Sequence, residues 1–209
     1  NSGTNAIISA YSLIKSGLCK NALVVGADIK QTKGSQLVWD ISRGAFTLPV
    51  YWAALFAKVH MHKYGTTEEQ MASVAVKNRK NAYLNQNALF RKKISVEDVM
   101  NSKKLVEPLK LLDCSYVCNG ASAILLSNEE ESKKYTDATV WIEGIGSSVE
   151  AASFSNVSSD LSTIHSTRIA SNMAFSMADI KPEQIDVVEL HDAFTIMEIM
   201  AYEDLGFCK

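Results

Sequence analysis

The residues best suited to chemistry lie near the end of the sequence, in Glu189-Leu190-His191-Asp192-Ala193-Phe194-Thr195. The run from Ile185 to Leu190 reads as a strand and a helical pattern resumes after it, so His191 closes the strand and Asp192 can cap the next helix. Open α/β proteins usually bind ligands at the carboxyl edge of their strands. An imidazole held there can offer an N–H to an oxyanion developing on a carbonyl. A histidine merely hydrogen-bonded to a neighbouring loop has the same spacing, and spacing alone favours that plainer reading.

The other reactive side chains are less promising. Cys19, Cys114, Cys118 and Cys208 contain no CxxC pair, and no histidine cluster accompanies the i, i+4 pair Cys114 and Cys118. This argues against a metal centre or a disulfide framework and suits a reducing compartment, where buried cysteines act as small hydrophobes. His60-Met61-His62 has no third ligand in view and reads as a solvated helix face, while His165, beside a serine-rich stretch, is a candidate to line a pocket. Lys77, Arg79, Lys80, Arg91, Lys92 and Lys93 form a basic stretch of the kind that is normally a solvated face.

The elements that must position these groups follow from periodicity. Ile7, Ala10, Tyr11, Ile14 and Leu18 are at helical spacing, with Ser2 or Thr4 as a cap and Gly17 as the end. Ala22 to Ala27 is a short unbroken apolar run, expected to be a strand covered on both faces. From residue 29 to 119 the character changes to Lys/Asn-rich segments with several short helices, which reads as an insertion. Two overlapping capping boxes in Thr66-Thr67-Glu68-Glu69-Gln70 and a third from Ser95 to Asp98 open helices there. Asn119-Gly120 turns into a second apolar strand, Ala121 to Ser127, placed to lie beside the first.

Residues 128–136 are polar and suggest a boundary near Asp137, after which Thr139 to Ile142 begins a strand. Ser147 to Thr163 reads as a loop. Ser166 to Ala178 is a helix with Ile169, Met173 and Met177 on one face, Pro182 marks a turn, and the final helix presents Phe194, Met197 and Ala201 with Met200 beside them. The order is that of a layered α/β protein.

Composition narrows the function. The 209 residues are 47% hydrophobic and 21% charged with a formal net charge of −2, enough to build cores but without the basic field that holds nucleic acid. The most apolar stretch, Gly44 to Ala57, is shorter than a membrane span and interrupted by Thr47 and Pro49, so it reads as buried protein. The sequence opens on Asn1 without Met and runs directly into a helix, which suggests a piece of a longer protein.

Four stretches, in order, resemble thiolases of the sterol-carrier and archaeal acetyl-CoA acetyltransferase type. Glu189 to Thr195 is similar to their HDAF segment, and Asn1-Ser2-Gly3 with Ala6, Ser16-Gly17 and Ala22 to Asp28 resembles the nucleophile helix and its following strand. Tyr64 to Gln70 with Val74 to Arg79 resembles the insertion domain; Pro108-Leu109, Leu111 to Cys114 and Asn119 to Ala121 resemble the return to the first domain. Gln86 stands where the family often has proline, and Asn119 where aspartate is common.

The resemblance implies an α/β thiolase fold, two similar βαβαβαββ halves with an inserted loop domain, incomplete at both ends. Residues 1–136 would be the later part of the N-terminal domain, with the insertion at about 29–119, and 137–209 the first part of the C-terminal domain. It implies an acyl-CoA acyltransferase that forms or cleaves a 3-oxoacyl-CoA through an acyl-cysteine. His191 would be the catalytic oxyanion donor, and Ser2, Gly3 and Phe194 would contact substrate. The family pattern Cys-x-Ser-Gly aligns with Asn1-Ser2-Gly3 and places the nucleophile one residue earlier, so this piece alone is expected to be inactive. No metal or resident cofactor is implied; coenzyme A arrives as a thioester, whose phosphates the basic stretch could meet. A homodimer or tetramer is implied. Two alternatives remain open: retro-aldol cleavage of a hydroxyacyl-CoA side chain with an OB-fold partner, or a noncatalytic lipid carrier or scaffold. Localisation stays open between cytoplasm, peroxisome and mitochondrion.

Overall fold

A computed structural model describes residues 2–29, 48–150 and 160–208. Helix α1 (Ser2–Lys15) keeps Ile7, Ala10, Tyr11 and Ile14 on its less exposed side and ends before Gly17, while Leu18 falls past the end and is exposed. Ser2 and Thr4 are already helical, so neither is the cap. Strand β1 (Asn21–Asp28) pairs antiparallel with β4 (Gly120–Ser127), in register from Asn21 opposite Ser127 to Asp28 opposite Gly120. The expected side-by-side placement is therefore present. The expected cover is not: Leu23 and Val25 are 66% and 61% exposed, with Leu125 exposed opposite Leu23, since two strands and α1 supply no layer over that face.

Between these strands, over the described residues 48–119, the chain forms two long helices and one short one rather than short helices throughout. Helix α2 (Pro49–Tyr64) begins with proline, whose missing N–H costs nothing there, and ends at Gly65, whose left-handed φ of 73° returns its N–H to the Met61 carbonyl. Helix α3 (Glu68–Leu84) is closed by the predicted Thr67–Gln70 capping box. Thr66 does not cap; its hydroxyl meets His60 instead. Ser95 and Asp98 close α4 (Val96–Met100) in the same reciprocal way. A small antiparallel pair, β2 (Lys104–Val106) with β3 (Leu109–Lys110), and a 3₁₀ turn (Leu111–Asp113) lead back toward β4.

After β4, the short helix α5 (Glu129–Ser132) is capped by Asn128, α6 spans His165–Ala178 and α7 spans Thr195–Asp204. Neither Thr139–Ile142 nor Ile185–Leu190 is a strand. Both run without regular structure, because a strand exists only through its ladder and no described segment pairs with them. Part of the serine-rich loop, residues 151–159, lies outside the described residues.

Two helices also bury faces other than those expected. On α6, Ile169, Met173 and Met177 are exposed, and the side used is the small-residue one: a Cβ added at Gly144 or Gly146 would run into the backbone of Ala174 or Ala170. Backbone approach there replaces side-chain packing. On α7 the fully buried pair is Ile196 and Met200, with Phe194 and Met197 only partly covered. They join Ala53, Ala54 and Ala57 of α2, Met71 of α3 and Leu109 of β3 in one core, so the helix that follows His191 docks onto the segment between β1 and β4. Of the Gly44–Ala57 stretch, the described part is buried at Trp52, Ala53, Ala54 and Ala57, while Leu48 and Pro49 at its start are exposed. No described helix is long and apolar enough to cross a membrane.

Candidate active site

The turn carrying His191 is clamped from two sides. From one side, the segment after the 3₁₀ turn lies along it: Cys114 bridges Phe194 in antiparallel fashion and the Ser115 N–H donates to the Ala193 carbonyl at 2.9 Å. Just before that contact, buried Asp113 accepts from the Lys110 N–H at 2.9 Å and from the Thr195 hydroxyl at 3.1 Å. Burial pushes the Asp113 carboxyl above its ordinary range despite these bonds.

From the other side, Asn78 of α3 donates its amide to the Asp192 carboxylate at 2.5 Å and to Glu198 at 2.7 Å. Lys77 pairs with Glu198 at 2.8 Å, and the Tyr202 hydroxyl donates to the same carboxylate. Burial opposes the charge on Glu198, but the bonds from Lys77, Tyr202 and Asn78 outweigh it and hold its carboxyl below the usual range. Asp192 goes the other way, raised first by burial and then by the nearby Glu198 charge. Asp192 is therefore not the helix cap. The helix begins at Thr195, so Phe194 occupies the N-cap position, where its side chain has no acceptor to offer, and Asp192, two residues earlier, accepts from α3 instead.

His191 itself is exposed at the edge of this clamp. Phe194 lies in the same turn, partly buried. Ser2 and Gly3 occupy the exposed first turn of α1, and no hydrogen bond or ion pair among the described residues joins them to residues 191–195. A groove of about 390 Å³ opens beside the clamp, lined by Asn78, Arg79, Phe90, Tyr116, Asp192 and Thr195. The Arg79 guanidinium stacks 4.4 Å from the Phe90 ring, and Phe90 meets Tyr116 edge-on at 5.5 Å.

The remaining candidates separate. Cys114 is half-buried with its thiol pushed up to about 11, by burial first and the Asp113 charge second, so it is no thiolate nucleophile. His60 is not solvated: it is 1% exposed, with Nδ1 2.7 Å from the Thr66 hydroxyl and Nε2 3.0 Å from Glu203, while His62 does face solvent. The reason is the docking of α7, whose last turn brings Glu203 over α2. His165 is exposed at the start of α6 and does not line the larger cavity of about 860 Å³ that Lys63, Asp160, Arg168 and Glu203 border. No group of three metal-ligating side chains occurs among the described residues. Lys77 leaves the predicted solvated basic face to pair with Glu198.

Sequence reasoning missed Asn78, Asp113 and Glu198. One signal was present: Thr195, Glu198 and Tyr202 at i, i+3 and i+7 draw a polar stripe along a helix whose other residues are apolar up to Ala201.

Residues 146–209 match the model of the family described as thiolase C-terminal domain-like. The whole chain aligns at 38% identity with the acetyl-CoA acetyltransferase of Methanothermobacter thermautotrophicus, covering 54% of that protein. The chain belongs to the thiolase superfamily. An acetyl-CoA acetyltransferase of Methanocaldococcus jannaschii is 34% identical over 92% of the chain and 49% of its own length. Among solved structures, the Ltp2-ChsH2(DUF35) aldolase superposes with a TM-score of 0.88 at 26% identity, over 99% of this chain and 57% of that one. The chain thus spans about half the length of the relatives it matches. Its architecture is the thiolase-like α/β fold, in which the HDAF segment is His191 to Phe194.

Proposed function

We propose that the intact protein is an acyl-CoA acyltransferase that forms or cleaves a 3-oxoacyl-CoA through an acyl-cysteine, with His191 as an oxyanion donor. The observation that carries this is the end-to-end similarity to acetyl-CoA acetyltransferases, together with a histidine turn fixed between the segment at residues 113–115 and α3. A thiolate attacks the thioester carbonyl carbon, and the carbonyl π electrons move onto oxygen. An imidazole N–H from His191 stabilises that oxyanion, and its collapse expels the thiolate of coenzyme A, leaving the acyl group on the cysteine. Aligned on Asn1-Ser2-Gly3, the family motif sets the cysteine one residue ahead of Asn1, with Ser2 and Gly3 near the acyl group and Phe194 walling the site. Coenzyme A is substrate, not a resident cofactor. We further infer that residues 1–136 belong to the first thiolase domain, with its insertion at about 29–119, and 137–209 to the second.

The test is thiolysis of acetoacetyl-CoA by the intact protein, with mass spectrometry of the trapped acyl adduct. His191→Ala should lower kcat on the order of 10²- to 10³-fold, as loss of one oxyanion donor does. Wild-type turnover in that variant, or turnover with no acyl adduct, sinks the reading. A second reading, retro-aldol cleavage with a small partner protein, draws on the TM-score of 0.88 to the Ltp2-ChsH2(DUF35) aldolase. It requires cleavage of a hydroxyacyl-CoA that depends on such a partner and forms no acyl-enzyme.

A further inference from the structure

Asn78 holds the residue that immediately follows His191. Residues 187–192 make no backbone–backbone hydrogen bond among the described residues; the first main-chain anchors in this turn are Ala193, bound by Ser115, and Phe194, bridged to Cys114. Upstream of those anchors, the contact that fixes the chain is the Asp192 carboxylate on the Asn78 amide at 2.5 Å. The same nitrogen reaches Glu198 at 2.7 Å, so both of its N–H groups are spent on carboxylates. Glu198 is 2% exposed and further secured by Lys77 and Tyr202, which makes its end of the bridge rigid. Among the described residues Lys77 is the one lysine or arginine in an ion pair with either carboxylate, and its ammonium also donates to the Asn78 side-chain carbonyl, so the amide is held at both ends.

We propose that Asn78 is a positioning residue: anchored on the buried Glu198, it holds Asp192 and so sets where the adjacent His191 imidazole points. The inference rests on His191 being the oxyanion donor. A donor must lie within a few tenths of an ångström of the developing charge, and misplacement by about 1 Å costs on the order of 10²-fold in rate. The amide bridge from a long, well-packed helix meets that demand better than a surface loop would.

The experiment is a kinetic double-mutant cycle in the intact protein, measured by acetoacetyl-CoA thiolysis. Asn78→Ala should lower kcat by about 10- to 100-fold with KM within about twofold, because the lost precision affects the transition state more than substrate binding. Placed on His191→Ala, the same change should cost nothing further, since the group it positions is gone. Unchanged kcat in Asn78→Ala, or a loss that persists in full on the His191→Ala background, overturns the proposal and leaves the acyl-transfer reading standing. Wild-type activity of His191→Ala alone overturns that reading instead. Should Asn78→Ala fail to fold, Asp192→Ala cuts the same bond from the other end and is read by the same cycle.

Discussion

Thr195→Val tests whether the buried Asp113 clamp holds α7 against the segment that returns to β4. Valine keeps the shape of threonine but cannot donate, so one oxygen of Asp113, itself 2% exposed, loses its partner at 3.1 Å. Leaving a buried acceptor unsatisfied costs about 1–3 kcal/mol. For a folding unit of this size that lowers Tm by roughly 2–12 °C. The pH dependence is more specific than the magnitude. Burial already raises the Asp113 carboxyl, and the Thr195 hydroxyl is one of the bonds opposing that rise. Removing it raises the folded-state value further, while the unfolded chain keeps an ordinary aspartate. A carboxyl raised in the folded state destabilises when ionised, and that cost fades as pH falls toward the unfolded value. The Thr195→Val deficit relative to wild type should therefore be largest near pH 7 and shrink toward about pH 4–5, by about 1.4 kcal/mol for each tenfold gain in proton affinity. Thr195→Ser keeps the hydroxyl and loses one methyl, about 0.8 kcal/mol, with no pH trend. Scanning calorimetry of the three proteins at both pH values decides it. A valine deficit that is flat in pH, or grows on acidification, refutes the clamp.

Two further outcomes follow from the packing. Gly146→Ala drives a methyl into the Ala170 carbonyl of α6 and should destabilise by about 1–3 kcal/mol, read as a lower Tm or denaturant midpoint. Because its thiol is pushed up to about 11, Cys114 is ionised in only about one molecule in a thousand at pH 8. Iodoacetamide at that pH should modify exposed Cys118 well before Cys114, as followed by peptide mass spectrometry.

Local signals were legible because they are written in neighbouring residues. The Thr67–Gln70 and Ser95–Asp98 boxes formed as their spacing predicts, and Gly17 and Gly65 adopt left-handed conformations at or just past the ends of α1 and α2. The apolar runs at β1 and β4 paired in register. The extended segments at 139–142 and 185–190 have a strand's composition but no described partner, and composition cannot supply a ladder. On α6 hydrophobicity points to the Ile169, Met173 and Met177 stripe, but the neighbouring stripe of smaller alanines allows the close backbone contact at Gly144 and Gly146.

By itself the sequence determined the family and the presence of a histidine where a strand-like run meets a helix, since ordered motifs survive in linear form. Only the tertiary structure decided what holds that histidine. The sequence pattern offers Asp192 as the cap of the last helix, yet α7 begins at Thr195, two residues past the cap position that reading needs, and Asp192 binds Asn78, 114 positions away, because α7 docks on α3 through Met71, Ile196 and Met200 and buries Glu198 between them. His60 was drawn from the predicted solvent face to Glu203 by the same docking. A buried carboxylate takes whatever donor the packing brings within reach, and that choice is made only when distant helices meet.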